Sequence, residues 1–210
     1  MRKNLANSLT VALALAFGLS FTVADDKPKA DDAKKPYFPE CPVMDEPIDF
    51  RVHIDTDGGR VYFCCGMCID KYKKNASRYT ASVKVQQKVV GRMAKVQVVC
   101  AACDAPPAKD VTAEYKGEKL GFCCKECSAK FTKEPDKYAK KVADCYTYQT
   151  SCPVGGEKID PGSSITLKDG GKIYFCCKKC IGSFEKDVAK YAPKLAEQGY
   201  PVKEGDLKKS

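Results

Sequence analysis

The sequence predicts a small α+β protein made of three tandem modules, each with a cysteine turn, a β-hairpin and a short α-helix. The main observation is a cysteine phrase that occurs three times, at residues 62–68, 121–127 and 174–180. A partner cysteine precedes the first cysteine of each phrase by 23, 23 and 24 residues. An aromatic residue lies four residues after the last cysteine of each phrase, and a tyrosine lies seven residues further on. A spacing kept in three copies indicates one structural unit repeated in tandem.

The modules are expected at residues 37–85, 96–146 and 147–202. Each has about 45–55 residues, which is below the size at which a hydrophobic core alone gives a comfortably stable fold. A cross-link or a bound metal must therefore add stability, and cysteines can supply either. The chain contains 14 cysteines, an even number that permits full pairing and does not decide between the two.

The same elements are predicted after each opening cysteine. A first strand with alternating apolar residues leads to a glycine-containing turn, because glycine adopts positive φ without steric cost. A second strand runs directly into the cysteine phrase. The apolar strand positions are Val52, Ile54, Val61 and Phe63, then Val111, Ala113, Leu120 and Phe122, then Ile165, Leu167, Ile173 and Phe175. The turns lie at 57–59, 116–117 and 169–171.

A helix is predicted to begin at the last cysteine of each phrase, with apolar residues along one face. In the second module Pro135 is expected to shorten or kink this helix, because proline lacks the N–H and clashes with the preceding turn. The segment 81–99 is rich in valine. It is compatible with a continued helix or with a strand at 96–99 that leads into Cys100.

The predicted fold brings thiols from different places together. The last cysteine of each phrase lies at a helix N-terminus, where free amides and the helix dipole stabilise the thiolate that binds metal. In the first module Cys64 leaves the strand end four residues earlier, and Cys41 comes across from the opening turn. Small treble-clef-like zinc modules are built in this way.

These residues resemble the YHS and TRASH domains, which are small metal-binding modules found in metal-handling and metal-sensing proteins. The resemblance rests on Cys-Pro-Val at the opening turn, an apolar hairpin that ends in Phe-Cys-x-x-x-Cys, the aromatic residue and the closing tyrosine. It extends over all three modules. The metal ligands that it implies are Cys41, Cys64 and Cys68, then Cys100, Cys123 and Cys127, then Cys152, Cys176 and Cys180.

The opening turn of the second module has an additional cysteine, Cys103, which gives a possible set of four thiolates, as in closed structural zinc sites. Met44 and Gly155 occupy the matching positions in the other modules, so the sequence gives the first and third modules one cysteine ligand fewer than the second. The middle cysteine of each phrase (Cys65, Cys124, Cys177) could complete the set, although adjacent strand residues point to opposite faces. The alternative is a position left open for water, a partner or a transferred ion.

Other residues near the predicted sites have simpler interpretations. Met44 and Met67 would add soft sulfur suited to Cu(I), or they serve only in packing. His53 is expected to be a surface residue, because the other modules have no histidine. Cys145 lies outside the repeat and is either a buried thiol or a disulfide partner.

The first 24 residues have the features of an export signal, with Arg2 and Lys3 before an apolar run at 9–21. Residues 25–36 are expected to form a flexible linker. Because the apolar run is shorter than the about 20 residues that span a bilayer, no transmembrane segment is expected, and the protein is expected to be periplasmic or secreted. The net charge of +9 comes from lysines interspersed with acids, a pattern typical of a solvated surface. Because of the export signal, nucleic acid is not an expected partner.

The sequence therefore predicts an exported, non-catalytic metal-binding protein for sequestration, delivery or structural stabilisation. Zinc is the first expectation for the ion and copper the second, and another metal-handling protein is a possible partner. Two alternatives remain open. One is a disulfide-stapled binding scaffold, and the other is a thiol oxidoreductase that uses the Cys-x-x-Cys at the end of each phrase.

Overall fold

The structure is a computed structural model that describes residues 38–208. The predicted signal peptide (1–24) and linker (25–36) lie outside the described residues. The remaining chain combines short strands and short helices, so the predicted mixed α+β class is confirmed. The strands are β1 (Asp49–Thr56), β2 (Gly59–Phe63), β3 (Val96–Gln97), β4 (Thr112–Tyr115), β5 (Glu118–Gly121), β6 (Tyr146–Thr147), β7 (Asp160–Thr166) and β8 (Lys172–Phe175). The α-helices are α1 (Gly66–Lys74), α2 (Thr80–Val90), α3 (Lys125–Lys133), α4 (Ala139–Asp144), α5 (Lys178–Lys186) and α6 (Val188–Ala196).

Three antiparallel hairpins, β1–β2, β4–β5 and β7–β8, form where the sequence predicts them. The turn between β4 and β5 consists of Lys116 and Gly117, whose φ angles of 51° and 80° match the positive values that a two-residue hairpin turn requires. The first and third hairpins share an irregularity that the second does not have. Their register shifts between Asp49 and His53 and between Asp160 and Ser164. The bulge bends the long first strand of each of these hairpins.

Each hairpin is followed by a nine-residue helix, namely α1, α3 or α5. All three helices end at matching residues, and only α3 has a proline just beyond its end. The helix does stop before Pro135, as expected. However, α1 stops before Asn75 and α5 before Asp187 in the same way, so the repeated fold and not the proline sets this end. Pro135 instead begins a 3-10 helix, where its missing N–H costs nothing.

The segment 81–99 contains both a continued helix and a short strand, the two structures that the sequence left open. It continues in helix α2 to Val90 and then forms the two-residue strand β3. Strand β3 pairs with β6 through Val96–Thr147 and Gln97–Tyr146. The segments that lead into Cys100 and Cys152 therefore run side by side.

Aromatic side chains form a repeated three-ring stack between each hairpin and its helix. In the first repeat the ring of Tyr72 lies 5.4 Å from that of Phe63 and 6.0 Å from that of Tyr79. The corresponding trios are Phe122, Phe131 and Tyr138, with 5.2 and 5.9 Å separations, and Phe175, Phe184 and Tyr191, with 5.3 and 6.4 Å separations. This stack explains why the spacing of the aromatic residues is repeated in the sequence, because edge and offset contacts at these distances are favourable.

The first and third repeats share one hydrophobic core, whereas the second has its own smaller one. The shared core contains Phe63 and Phe175 from the two second strands, together with Phe50 and Tyr200. The core of the second repeat is built around Leu120, Phe122 and Phe131. Between residues 38 and 208, no helix has the length and apolar character needed to cross a membrane.

Candidate metal centres

The structure brings all ten predicted ligands together in three groups of sulfur atoms. Within each group the sulfur atoms all lie within 4.8 Å of one another. The first cluster is Cys41, Cys64 and Cys68, the second is Cys100, Cys103, Cys123 and Cys127, and the third is Cys152, Cys176 and Cys180.

The spacing of the sulfur atoms fits a tetrahedral metal site. In the second cluster the Sγ atom of Cys103 lies 3.4 Å from that of Cys123, and Cys127 lies 3.6 Å from Cys123 and 3.9 Å from Cys103. With Zn–S bonds of about 2.3 Å, the sulfur atoms of a tetrahedral site are about 3.8 Å apart. Sulfur atoms joined in a disulfide are only about 2.05 Å apart. The Cys64–Cys68 and Cys176–Cys180 separations, 3.6 and 3.5 Å, fall in the same metal-like range.

The opening cysteine of each cluster lies at the start of a tight turn. Its backbone N–H donates to the carbonyl oxygen five residues later, at 2.7 Å from Cys41, 2.8 Å from Cys100 and 2.7 Å from Cys152. These three cysteines are almost fully buried, with exposed fractions of 0, 0 and 1 %. The strand-end cysteines are half-buried, so each cluster has a closed inner side and an outer side near solvent.

Backbone amides of the turn stabilise the thiolate of the opening cysteine in the second and third clusters. The N–H groups of Ala102 and Gly155 lie 3.4 Å from the sulfur atoms of Cys100 and Cys152. Burial opposes ionisation of Cys100, but neighbouring backbone N–H groups, that of Cys123 first, outweigh it and lower its pKa to about 7. Burial also opposes ionisation of Cys152, and its amide neighbours lower its pKa in the same way. These turns therefore favour the form of cysteine that binds metal.

The strand-end cysteines have the opposite tendency. Burial is the largest cause that raises the pKa of Cys64, followed by contact with neighbouring thiols. For Cys123 and Cys176 the largest cause is contact with the thiols of Cys103 and Cys180, respectively. Several thiols so close together cannot all lose their protons without a cation, because the resulting thiolates would repel one another. Metal binding to these clusters must therefore release protons.

The middle cysteine of each phrase is the N-cap of the following helix. Its backbone is extended, with φ and ψ near −160° and 165° at Cys65. Strand β2 ends at Phe63, so the strand alternation that would turn Cys65 away from Cys64 does not apply. The sulfur of Cys65 lies 3.9 Å from that of Cys64 and 3.7 Å from that of Cys68. It is nevertheless not part of the group whose sulfur atoms all lie within 4.8 Å of one another.

A buried glutamine amide joins the second strand to the opening turn. Gln86 accepts from the N–H of Tyr62 at 2.9 Å and donates to the carbonyl oxygens of Tyr62 at 2.8 Å and Glu40 at 2.7 Å. Glu40 directly precedes Cys41, and Tyr62 lies two residues before Cys64. One side chain therefore fixes the distance between the two backbone segments that carry these thiols.

Gln97 and Gln149 make the same contacts in the other repeats. Gln149 accepts from the N–H of Tyr174 at 2.9 Å and donates to the carbonyl oxygens of Tyr174 at 2.6 Å and Ser151 at 3.2 Å. Gln97 pairs with Gly121 at 2.7 and 2.8 Å and with the carbonyl that precedes the opening cysteine at 2.9 Å. We call this arrangement the glutamine clamp. It occurs beside all three clusters.

Sequence reasoning missed the glutamine clamp. Gln97 and Gln149 both lie three residues before an opening cysteine, a regularity that could have identified two of the three. In the first repeat Phe38 has this position, and the clamp residue Gln86 comes from α2 instead.

The clusters differ at the position that follows the opening cysteine by three residues. Cys103 contributes its thiol to the second cluster, whereas Met44, at the matching position in the first repeat, is 51 % exposed. A Cβ atom added to Gly155 would lie 3.3 Å from the sulfur of Cys176 and 3.8 Å from that of Cys180. Gly155 thus faces the sulfur atoms of the third cluster at the place where Cys103 completes the second, and a larger residue fits there only if the sulfur of Cys176 moves by a few tenths of an ångström.

Two residues considered in the sequence are not part of the clusters. Cys145 is a buried thiol whose sulfur donates to the carbonyl oxygen of Lys141 at 3.1 Å, and burial raises its pKa to about 12. His53 is half-buried, and its Nδ1 lies 3.2 Å from the carbonyl oxygen of Phe50. The expectation that His53 is a surface residue is therefore only partly correct.

His53 lines a cleft of about 680 Å³ that lies where the repeats meet. Arginine side chains of the cleft form ion pairs with carboxylates. Arg60 forms ion pairs with Asp55 at 2.7 Å and with Asp144 at 2.5 Å. The cleft wall therefore connects the first repeat to the second.

A sequence model of the YHS domain matches residues 105–142. The matched segment contains the hairpin β4–β5, helix α3 and the cysteine phrase of the second cluster, and it begins just after Cys103. No curated protein and no solved structure matches the chain.

Proposed function

We propose that this chain is an exported, non-catalytic metal-binding protein that holds one ion at each of its three thiolate clusters. The observation that supports this function best is the second cluster, in which four cysteines from a turn, a strand end and a helix start are within 4.8 Å of one another. Four thiolates at this spacing match a closed structural zinc site. The YHS match covers the part of the chain that carries two of these thiols.

The repeated geometry extends the proposal to the other two clusters. Each has the same opening turn, glutamine clamp, hairpin and N-capped helix as the second. We therefore infer three treble-clef-like, YHS-like modules, at 37–85, 96–146 and 147–202. Zinc fits the four-thiolate cluster, and copper is the alternative for the clusters with three thiolates.

The first and third clusters favour metal transfer over permanent storage. A site with three strong ligands has a position through which an incoming thiol or a partner can bind before the ion leaves. A site with four must first lose a ligand. We therefore infer that the second cluster is structural and that the other two sequester or deliver ions, possible partners being other metal-handling proteins.

Cobalt titration of the reduced full chain tests metal binding. Co²⁺ in a tetrahedral thiolate site gives intense visible bands and a sulfur-to-metal charge-transfer band in the near ultraviolet. We expect these bands to grow to three equivalents and to disappear when Zn²⁺ is added. If the spectrum of hydrated Co²⁺ does not change when the protein is present, the proposal is contradicted.

A thiol oxidoreductase is a further candidate because of one observation. The sulfur of the exposed Cys177 lies 3.6 Å from that of Cys180, at the start of α5. Reversible disulfide formation between these two thiols at a mild potential, together with cobalt spectra without thiolate bands, would favour this candidate.

Export is tested separately. A reporter enzyme fused behind residues 1–24 is expected to appear outside the cytoplasm, and a variant with Arg2 and Lys3 changed to Glu is expected to remain inside. Equal retention of both fusions would contradict an exported protein.

A further inference from the structure

We infer that the first cluster takes a soft monovalent ion, of the Cu⁺ or Ag⁺ class, with Met44 and Met67 as additional sulfur donors at its rim. This inference rests on the proposed metal-binding function and names the ion class of one of its three sites. It concerns Met44 and Met67, two methionines that have no counterpart in the other two repeats.

Both methionines are exposed, which packing does not explain. Met67 is 73 % exposed and Met44 is 51 % exposed. In contrast, Met93 packs against the shared core in the usual way. Val85 is the other large apolar side chain exposed in the described part of the chain, and it lines a hollow of about 290 Å³ together with Cys41. The exposed large apolar side chains are thus gathered around the first cluster.

Both thioethers belong to segments that carry thiols of the first cluster. Met67 directly precedes Cys68 in the first turn of α1, and Met44 lies in the opening turn of Cys41. The Nζ atom of Lys71 is 3.8 Å from the Sδ atom of Met44. Because Lys71 is four residues after Met67, the two are neighbours on one face of α1. Met44 therefore contacts a lysine that lies one helical turn from Met67.

The other clusters have different chemistry at the same two positions. The position of Met44 is Cys103 in the second cluster and Gly155 in the third. The position of Met67 is Glu126 in the second and Lys179 in the third. The thioether pair therefore occurs in the first cluster alone, although the fold around all three is repeated.

Thioether sulfur suits a soft monovalent ion for two reasons. Thiolates and thioethers both prefer Cu⁺ to harder ions. Three thiolates already exceed the charge of a monovalent ion, so a further thiolate would add repulsion, whereas a neutral thioether adds a donor without charge. Lys71 offsets part of the remaining negative charge. For Zn²⁺, in contrast, the fourth thiolate of the second cluster is the better complement.

Methyl NMR of the full chain labelled with ¹³C at the methionine methyl groups tests this inference. Ag⁺ serves as the probe, because it does not change its oxidation state under the conditions of the titration. We expect one equivalent of Ag⁺ to shift the methyl signals of Met44 and Met67 and to leave that of Met93 in place. Zn²⁺ is expected to leave all three signals unchanged.

Leucine variants provide the matched affinity test. In competition with a Cu⁺ chelator, the double variant Met44→Leu and Met67→Leu is expected to bind Cu⁺ about tenfold more weakly, the low end of the loss seen when groups around a metal are removed. The same variant should bind Zn²⁺ normally. Met93→Leu, which changes a methionine of the core, should leave the binding of both ions unchanged.

The outcomes separate this inference from the proposed function. If charge-transfer absorption shows metal–thiolate binding while the signals of Met44 and Met67 stay in place, the thioether site is wrong and the metal-binding proposal stands. If no metal–thiolate absorption develops with Ag⁺, Cu⁺, Zn²⁺ or Co²⁺, both are overturned.

Discussion

At the residue scale, the position three residues after the opening cysteine distinguishes the clusters. A cysteine there gives a cluster of four thiols, a methionine accompanies a cluster of three, and a glycine accompanies a cluster of three with two sulfur atoms within 4 Å of where its Cβ would lie. Because the rest of each unit is repeated, we expect this single position to control how many strong ligands a bound ion would receive.

Replacing Cys103 with serine should convert the second cluster from four thiolates to three. We expect metal affinity at this cluster to fall by more than about tenfold, because loss of a group that only supports a ligand already costs about 10- to 100-fold. The measurement is competition with a chromogenic chelator. Cys124→Ser removes a neighbouring thiol outside the cluster and is the matched control. Equal affinity of the wild type and Cys103→Ser would remove Cys103 from the ligand set.

The opposite change is expected at the third cluster. Gly155→Cys adds a thiol beside Cys176 and Cys180, and it should slow the release of Zn²⁺ from this cluster to a chelator by about tenfold. The neighbouring sulfur must move by a few tenths of an ångström, because the added Cβ would lie 3.3 Å from it.

Gly182→Cys is the control for this change. It adds a thiol on α5 at a place where a Cβ has no neighbour within 4 Å. If both variants slow release equally, a nearby thiol is sufficient and the position of Gly155 has no special role.

At the scale of structural elements, the glutamine clamp holds each opening turn against the second strand. The Gln86 side chain is 2 % exposed and satisfies three backbone groups, so its removal would leave buried polar atoms without partners. A small change at this amide would move Cys41 relative to Cys64. We therefore assign the clamp a positioning role for the metal ligands.

Gln86→Leu should lower the free energy of unfolding by about 1–3 kcal/mol, the cost of leaving buried hydrogen-bonding groups unsatisfied. It should also weaken metal binding at the first cluster and leave the second unchanged. Denaturant unfolding and chelator competition measure the two effects. The adjacent Gln87, which bonds the carbonyl of Gly58 near the surface, provides the control Gln87→Leu. Normal metal affinity in Gln86→Leu would contradict the positioning role.

The sequence predicted the hairpins and clusters well because their signals are local and repeated. Alternating apolar residues around 116–117 define a hairpin, and the spacing from Cys100 to Cys123 brings their thiols together. The clamp of the first repeat was not predictable in this way, because Gln86 and Glu40 are 46 residues apart. The core that contains both Phe63 and Phe175 depends on contacts between repeats. The sequence pattern within one repeat does not predict such contacts.

At the scale of the whole molecule, stability is unevenly distributed. The first and third repeats bury their apolar residues in one common core, whereas the second relies on a few residues that include Cys100 and Cys145. A domain with so little apolar burial cannot easily offset the conformational entropy of folding. The second repeat should therefore depend most on its metal.

When a chelator removes the metal under reducing conditions, the second repeat should unfold before the other two. Hydrogen exchange is expected to increase in the hairpin β4–β5 and helix α3 before it increases in β2 and β8, because metal binding and folding are coupled in small thiolate modules. Unchanged protection of β4–β5 after complete metal removal would show that its core is sufficient without an ion.

The most direct test of the central claim is the intact mass of the full protein purified from its native compartment. The mass is measured under non-denaturing conditions and again after unfolding and alkylation of thiols. We expect a mass increase equal to one metal ion for each of the three clusters, and alkylation of the cluster cysteines once the ions are removed. A metal-free protein in which Cys41, Cys64 and Cys68 resist alkylation because they are oxidised would contradict the claim, since no thiolate would be left to bind an ion.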